Sequence, residues 1–374
     1  MPAINAVVKG AGLAASQLGW EITGIRDGFG GLLYPDRYPD GGLVDLSPKL
    51  IDNLDADSRS VLGQSAREDP FNVRTINEYE MVEEVDMSDE LINKLKAENI
   101  DAVISVVGGM GLSIFYKLSK KGLKTVCVPQ AVENDISSTA ISFGFNSTLS
   151  HNIEMLDRAH DAARVARKIA VVEVLGEQAG WLALQSGIAV GADAILIPEV
   201  PMDLKKLAER LKEKVSPLRP YGLVVVAQGA KVIRKTKKSE PVSSLKATLS
   251  PLATEKTSSE YVIQSSGKAA HVVATELQLL IADETIPLIL GQWARGGRAT
   301  AVDRQLGMAY GAEAINALRE NKNGVMVSFI PPEVKCIPLA ESINKIRTVP
   351  AESEFLKIAD SLGIYVGKEG SKDE

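Results

Sequence analysis

Short runs of β-branched and other apolar residues recur along this chain. Each is followed by a turn and a longer stretch in which apolar residues fall three and four apart. Residues 21–26, 101–107 (DAVISVV), 125–128, 169–174, 194–197, 223–227, 286–290 and 325–329 read as strands. Residues 5–18, 88–98, 112–121, 146–165 and 179–189 read as helices. A strand buried on both faces has no polar side to alternate with. Near-continuous apolar runs separated by helices therefore call for parallel pairing with helices above and below. At 374 residues the chain can hold two such cores. The expected class is α/β, with two doubly wound, mainly parallel sheets and helices on both faces. Residues 101–107 should be a buried strand, and Ser88 should cap the helix it opens by accepting from a first-turn N–H. Ligands of such sheets bind beyond the carboxyl ends of the strands. That singles out the loops after Val107, Val128, Val174, Ala227 and Leu290.

Several classes of partner are excluded by composition. The net charge is −6, which leaves no basic surplus for a nucleic-acid backbone. No apolar run is long enough for a membrane span, and the start, MPAINAVVKG, lacks the form of a secretory signal. The two cysteines, Cys127 and Cys336, build no disulfide framework, and Cys127 reads as a small core residue of its strand. These features point to a cytoplasmic protein. His151, His160 and His271 all lie in helix-like stretches, and none has a partner at metal-ligand spacing.

The chemistry-bearing motifs follow the strands. Gly108-Gly109-Met110-Gly111 comes between a strand and a helix. Glycines there let backbone amides approach a phosphate at a helix start, or simply make a tight turn. Residues 129–135 (PQAVEND) follow the next strand and set two carboxylates two positions apart. Further along come VVEVLGEQAGWLALQSGIAVGADAILIPEV (171–200), VVVAQGA (224–230) and LGQWARGGRATAVDRQLG (290–307). Earlier lie GIRDGFGGL (24–32) and LGQSAR (62–67). In this order and spacing the chain resembles the phosphofructokinase family over nearly its whole length. Residues 171–200 and 291–304 carry the most specific part of the likeness.

The resemblance implies transfer of a phosphoryl group from ATP or pyrophosphate to the 1-hydroxyl of fructose 6-phosphate, assisted by Mg2+, in a homo-oligomer whose sites are shared between subunits. It assigns the catalytic carboxylates to Glu133 and Asp135, and donor binding to Arg67, Gly108, Gly109 and Gly111. Substrate binding falls to Ala131, Lys168, Leu175, Gly176, Glu177, Gln228, Gln292 and Arg295, with Lys168 acting from a neighbouring subunit. Several of these positions depart from the family pattern. Met110 stands where the family has a magnesium-holding aspartate, and a thioether does not hold a hard cation, so no metal ligand is assigned. Glu133 replaces the aspartate base and reaches one methylene further. Glu177 replaces an arginine, Gln228 a glutamate, Gln292 a histidine, and Lys168 an arginine whose two-pronged grip it lacks. Gly111 matches the ATP-using branch. Gln130 replaces the lysine of the pyrophosphate-using branch, while residues 179–184 (AGWLAL) look like that branch.

The resemblance divides the chain into a phosphate-donor lobe, 1–135, and a sugar-phosphate lobe, 136–300. A C-terminal segment, 301–374, returns to the first lobe. The family's first strand and its glycine loop have no counterpart here. Pro2-Ala3-Ile4-Asn5 matches the end of that loop, so either the chain is recorded from an internal methionine or part of the nucleotide site is lost. Residues 231–268, rich in lysine, serine and threonine, read as a flexible surface insertion, and 368–374 as a polar tail. The expected function is phosphofructokinase-type phosphoryl transfer. The alternative is a catalytically silent homologue that binds sugar phosphate or regulates a catalytic paralogue.

Overall fold

The computed structural model describes residues 3–56, 60–65, 69–76, 79, 81–233, 260–262, 267–281 and 283–367. Arg67, most of the 231–268 insertion and the 368–374 tail lie outside the described residues. Eight strands build two four-stranded sheets. In chain order they are β1 (Val103–Val107), β2 (Thr125–Pro129), β3 (Ile169–Val174), β4 (Ala194–Leu196), β5 (Gly222–Ala227), β6 (Thr285–Ile289), β7 (Val325–Ile330) and β8 (Glu333–Pro338). Six helices bear on the site: α1 (Ile4–Gln17), α2 (Gly109–Lys120), α3 (Phe145–Ala166), α4 (Trp181–Ala189), α5 (Ala269–Ile281) and α6 (Ala301–Arg319). Among the described residues, no helix is long and apolar enough to cross a membrane.

The chain forms two compact units. Unit 1 comprises Met1–Ser147 and Arg295–Arg347, and unit 2 comprises Thr148–Ala294 and Thr348–Glu374. The sequence reading put the divisions at 135/136 and 300/301 and returned all of 301–374 to the first lobe. Residues 348–367 instead join unit 2, where Tyr365 adds to the sheet margin. Its N–H donates to Asp193 O (3.0 Å), and its carbonyl accepts from Ile195 N–H (2.9 Å).

Unit 1 contains the sheet β8–β7–β2–β1. β7, β2 and β1 run parallel, and β8 is antiparallel at one margin. Every residue of β2 is buried, including Cys127, which accepts a hydrogen bond from Ser105 Oγ at 3.2 Å. Burial pushes the Cys127 thiol up to about 12. Helices α1 and α6 touch backbone to backbone. A Cβ at Gly10 would lie 2.2 Å from Met308 O, and one at Gly311 would lie 2.2 Å from Val7 O, so only glycine permits this crossing.

Two local expectations are corrected in unit 1. β1 is not a fully buried strand: it is the outer strand of its sheet, and only Ser105 within it is buried. Its neighbour covers one side alone, which an apolar run cannot reveal. Ser88 does not cap its helix, Ser88–Ala97, with its hydroxyl. Its Oγ–H and N–H both donate to Asp86 Oδ1, at 2.5 and 2.8 Å. A carboxylate two residues upstream is the stronger acceptor and turns the hydroxyl into a donor. These bonds hold the Asp86 carboxyl below its usual range.

Unit 2 contains the all-parallel sheet β6–β3–β5–β4. β3 and β5 are buried along their whole length. The charge within β3, Glu173, is satisfied at the start of α5, accepting from Gly267 N–H (2.5 Å) and Ala270 N–H (3.1 Å). Buried Asp193 takes Arg219 Nη2 (3.1 Å) and Leu223 N–H (3.0 Å).

Candidate functional site

In unit 1, β1 and β2 are parallel neighbours, so the loops leaving their carboxyl ends emerge side by side. Gln130 N–H donates to Val107 O at 2.9 Å, which joins the glycine turn to the acidic turn. Gly108 is the extended residue that opens α2, and a Cβ there would sit 3.4 Å from Gln130 O. Gly111 packs against Val107, where a Cβ would lie 2.5 Å from the valine Cβ. A Cβ on Gly109 would meet nothing within 4 Å, so space stays open above the first turn of α2. That turn presents amides without helical acceptors and the positive end of the helix dipole. Met110, in the same turn, is 79% exposed. Buried Gln130 has an Nε2 without a partner among the described residues.

The acidic turn is held by backbone geometry. Ala131 is nearly buried and Glu133 half-buried. Asn134 adopts φ 54°, the left-handed conformation that asparagine tolerates, and its Oδ1 accepts from Ser142 N–H at 2.8 Å. Burial raises the Asp135 carboxyl above its usual range. Arg347, 213 residues downstream of Asn134, was missed by sequence reasoning. Its N–H donates to Asp135 O (2.7 Å) and its Nη1 to Asn134 O (3.2 Å). Nothing within residues 343–349 points to a partner so far upstream. Burial lowers the pKa of this guanidinium. A cavity of about 440 Å³ in the same unit is lined by Ser137, Thr139, Phe329, Glu341 and Arg347 among others, but not by Glu133 or the glycine turn.

In unit 2 the carboxyl ends of β3, β5 and β6 lie together, which brings Leu175, Gly176, Glu177, Gln228 and Gln292 to one sheet edge. Gln228 N–H donates to Val174 O (3.0 Å), and Gly229 N–H to Gly176 O (2.9 Å). Gly176 needs its φ of 138°. A Cβ at Gly229 would lie 1.8 Å from Glu177 O, so two loops meet with no room for a side chain. Leu175 is buried beneath this junction, while Glu177 and Gln292 are exposed. Gln292 sits on the one-turn helix Gly291–Arg295 beside an exposed Trp293, and that turn ends on Arg295, the first residue of the second stretch of unit 1. Arg295 has a buried Nε without a partner among the described residues.

Lys168 is not brought to this edge. It precedes β3, at the opposite end of a six-residue strand roughly 17 Å long, and pairs there with Glu284. Arg67 lies outside the described residues.

The Phosphofructokinase family profile matches residues 1–318. This chain belongs to the phosphofructokinase family. An ATP-dependent 6-phosphofructokinase 2 of Clostridium perfringens is 32% identical over 366 residues, covering 97% of this chain and 94% of that one. An ATP-dependent 6-phosphofructokinase of Chloroflexus aurantiacus is 30% identical over 373 residues, covering 98% and 95%. The crystal structure of a pyrophosphate-dependent phosphofructokinase from Marinobacter aquaeolei superposes with a TM-score of 0.72 at 20% identity, over 98% of this chain and 86% of that one. The two-sheet α/β architecture is thus that of the phosphofructokinases.

Members of the family typically use Mg2+. The residues here fit that ion poorly. At the start of α2 the side chain offered is the thioether of Met110, a poor ligand for a hard cation.

Proposed function

We propose that this chain transfers a phosphoryl group from ATP or pyrophosphate to the 1-hydroxyl of fructose 6-phosphate. The observation that carries this reading is the junction of the glycine and acidic turns, Gln130 N–H to Val107 O at 2.9 Å. It sets open backbone amides beside a pair of carboxylates, the two elements that phosphoryl transfer requires. In the reaction Glu133 takes the proton of the sugar hydroxyl. The hydroxyl oxygen bonds to phosphorus as the bond from phosphorus to the leaving phosphate breaks. Asp135, with its carboxyl raised by burial, lies two residues away on the same turn. The amides of Gly109 and Gly111 serve the donor phosphates, and the likeness to the family adds Arg67, which lies outside the described residues. Sugar binding is assigned by the likeness to the family: in unit 1 to Ala131, and in unit 2 to Leu175, Gly176, Glu177, Gln228 and Gln292. Arg295 keeps a guanidinium for its phosphate, and its unpartnered Nε supports that role. Lys168 stands at the far end of its sheet, so it reaches a sugar phosphate only from a second copy of the chain. The full-length relatives named as ATP-dependent favour ATP as donor.

The exposed Met110 and Glu177 favour a second reading, a homologue that binds sugar phosphate without turning it over. It could act alone or with a catalytic paralogue. Phosphorus NMR separates the two. The purified chain is incubated with fructose 6-phosphate and Mg2+, with ATP or pyrophosphate in separate tubes. Fructose 1,6-bisphosphate that disappears in Glu133→Gln supports the enzyme and names the donor. No product from a folded chain leaves the binding reading.

A further inference from the structure

Unit 1 holds a buried carboxylate that the proposed reaction does not use. Asp303, in the first turn of α6, is fully buried. Its Oδ1 accepts from Gly144 N–H at 2.9 Å, and its Oδ2 from both Ser147 N–H and Ser147 Oγ at 2.6 Å. Two of these three donors are backbone amides at the start of α3, which have no acceptor within their own helix. Ser147 Oγ accepts in turn from Thr300 N–H (3.1 Å), and Thr300 Oγ1 donates to Asn146 Oδ1 (2.8 Å). The starts of α3 and α6 are therefore fastened to each other, each supplying polar groups that the other lacks.

Burying a carboxylate is costly unless donors surround it. Asp303 is surrounded by donors that belong to one short stretch, Gly144 to Ser147. That stretch is the downstream anchor of the segment running from β2 to α3, the segment that carries Glu133, Asn134 and Asp135. The upstream anchor is β2 itself. Between the two, Asn134 Oδ1 takes Ser142 N–H (2.8 Å), and Phe143 N–H reaches back to Pro129 O (3.2 Å). The acidic turn is thus closed into a loop with two tethers, and Asp303 is the side chain that supplies the second.

We propose that Asp303 is a positioning residue for the acidic turn, acting on Glu133 through Gly144, Ser142 and Asn134. The inference rests on the reading of Glu133 as the base. If Asp303 is removed, the loop keeps its covalent path but loses the tether that sets the height of Glu133 above the sheet. Displacements near 1 Å at a reacting group cost about 100-fold in rate.

The test uses the full chain with Asp303→Asn, which keeps the side chain's size but puts an N–H where an acceptor is needed. Ser147→Ala, which removes one of the three donors, is the milder companion. Two readouts are taken: steady-state kinetics, and hydrogen exchange followed by mass spectrometry. For Asp303→Asn the expected result is a fall in kcat of about 100-fold with KM within about twofold. Exchange should speed up in peptides covering 130–147 and stay unchanged in those covering β3 and β5. Ser147→Ala should show the same pattern at smaller size. Unchanged exchange at 130–147 would overturn the proposal, and so would faster exchange spread evenly over both units in both variants. A rise in KM at constant kcat would do the same. If the unaltered chain forms no product, it is the assignment of Glu133 as base that fails. The exchange pattern then decides by itself whether Asp303 sets the turn.

Discussion

The carboxyl edges of the two sheets are built to different plans. In unit 1 the edge is open: space remains above Gly109, Met110 is directed to solvent, and the acidic turn stands on tethers at its two ends. In unit 2 the edge is closed, because the loops after β3 and β5 are pressed together at Gly176 and Gly229 with no room for a side chain. The residues that depart from the family pattern occur at both edges. Met110, Glu177 and Gln292 are exposed, Glu133 and Gln228 are half-buried and Gln130 is buried, whereas the glycines that set the backbone at these turns (Gly111, Gly176, Gly229) meet tight packing or demanding backbone angles. The changes thus reach from the surface into the turns themselves, while the glycines that shape those turns remain.

The largest expected effect breaks the closed edge. Gly229→Ala drives a Cβ into the Glu177 carbonyl, and backbone cannot yield as a side chain can. Stability should fall by about 3 kcal/mol or more. Gly111→Ala, whose Cβ meets only the Val107 side chain, should cost about half that. Calorimetry of the two variants checks the order, and equal losses would erase the contrast between the edges. Next in size, Glu177→Arg replaces a repelling carboxylate at the unit 2 edge with a guanidinium. Fructose 6-phosphate should bind about tenfold more tightly, equivalent to about 1.4 kcal/mol. Titration calorimetry reads this, and unchanged affinity would mean that the phosphate lies elsewhere.

Asp135→Asn sharpens the description of the open edge. The Asp135 carboxyl is raised by burial, so its ionised form is disfavoured in the folded chain. The stability linked to that group is fully present below the ordinary carboxylate range and is lost as pH rises through the raised value. The asparagine variant should therefore be more stable than the parent at pH 7, and the gain should vanish in acid. Melting curves across pH 3–7 would show it. Smallest of all, Met110→Asp puts a carboxylate into the exposed first turn of α2, where the helix dipole should stabilise it by about 0.5 kcal/mol. A further rise in Tm with Mg2+, absent in the parent, would show that the missing oxygen ligand alone kept the ion away.

Much of this was legible in the chain itself, because apolar runs and turn residues are local signals. The strands 169–174 and 325–330, the long helix from 145 to 166 and the two motif turns all lie where the pattern put them, to within a residue or so. What stayed hidden depends on partners remote in sequence. β1 reads as a buried strand because its apolar content is set by the faces it covers, and its open side depends on which strand stands beside it. Ser88 reads as a cap until Asp86 is seen to outcompete the helix amides. Arg347 gives no local sign of reaching the acidic turn. Lys168 could be named only by likeness, and a single chain leaves it across the sheet from the residues it was grouped with.

The two cysteines carry an experimental consequence. Both Cys127 and Cys336 belong to unit 1, and unit 2 has none. Their thiols are pushed up to about 12, chiefly by burial, so neither supplies appreciable thiolate at neutral pH. Cys336 is only half-buried on the outer strand β8 and is open to slow reaction with the sheet intact, whereas Cys127, wholly enclosed in β2, requires the sheet itself to part. Labelling rates on the unaltered chain would clock the breathing of one half of the molecule while remaining blind to the other. The chain thus carries in Cys127 a natural probe for the opening of unit 1 alone.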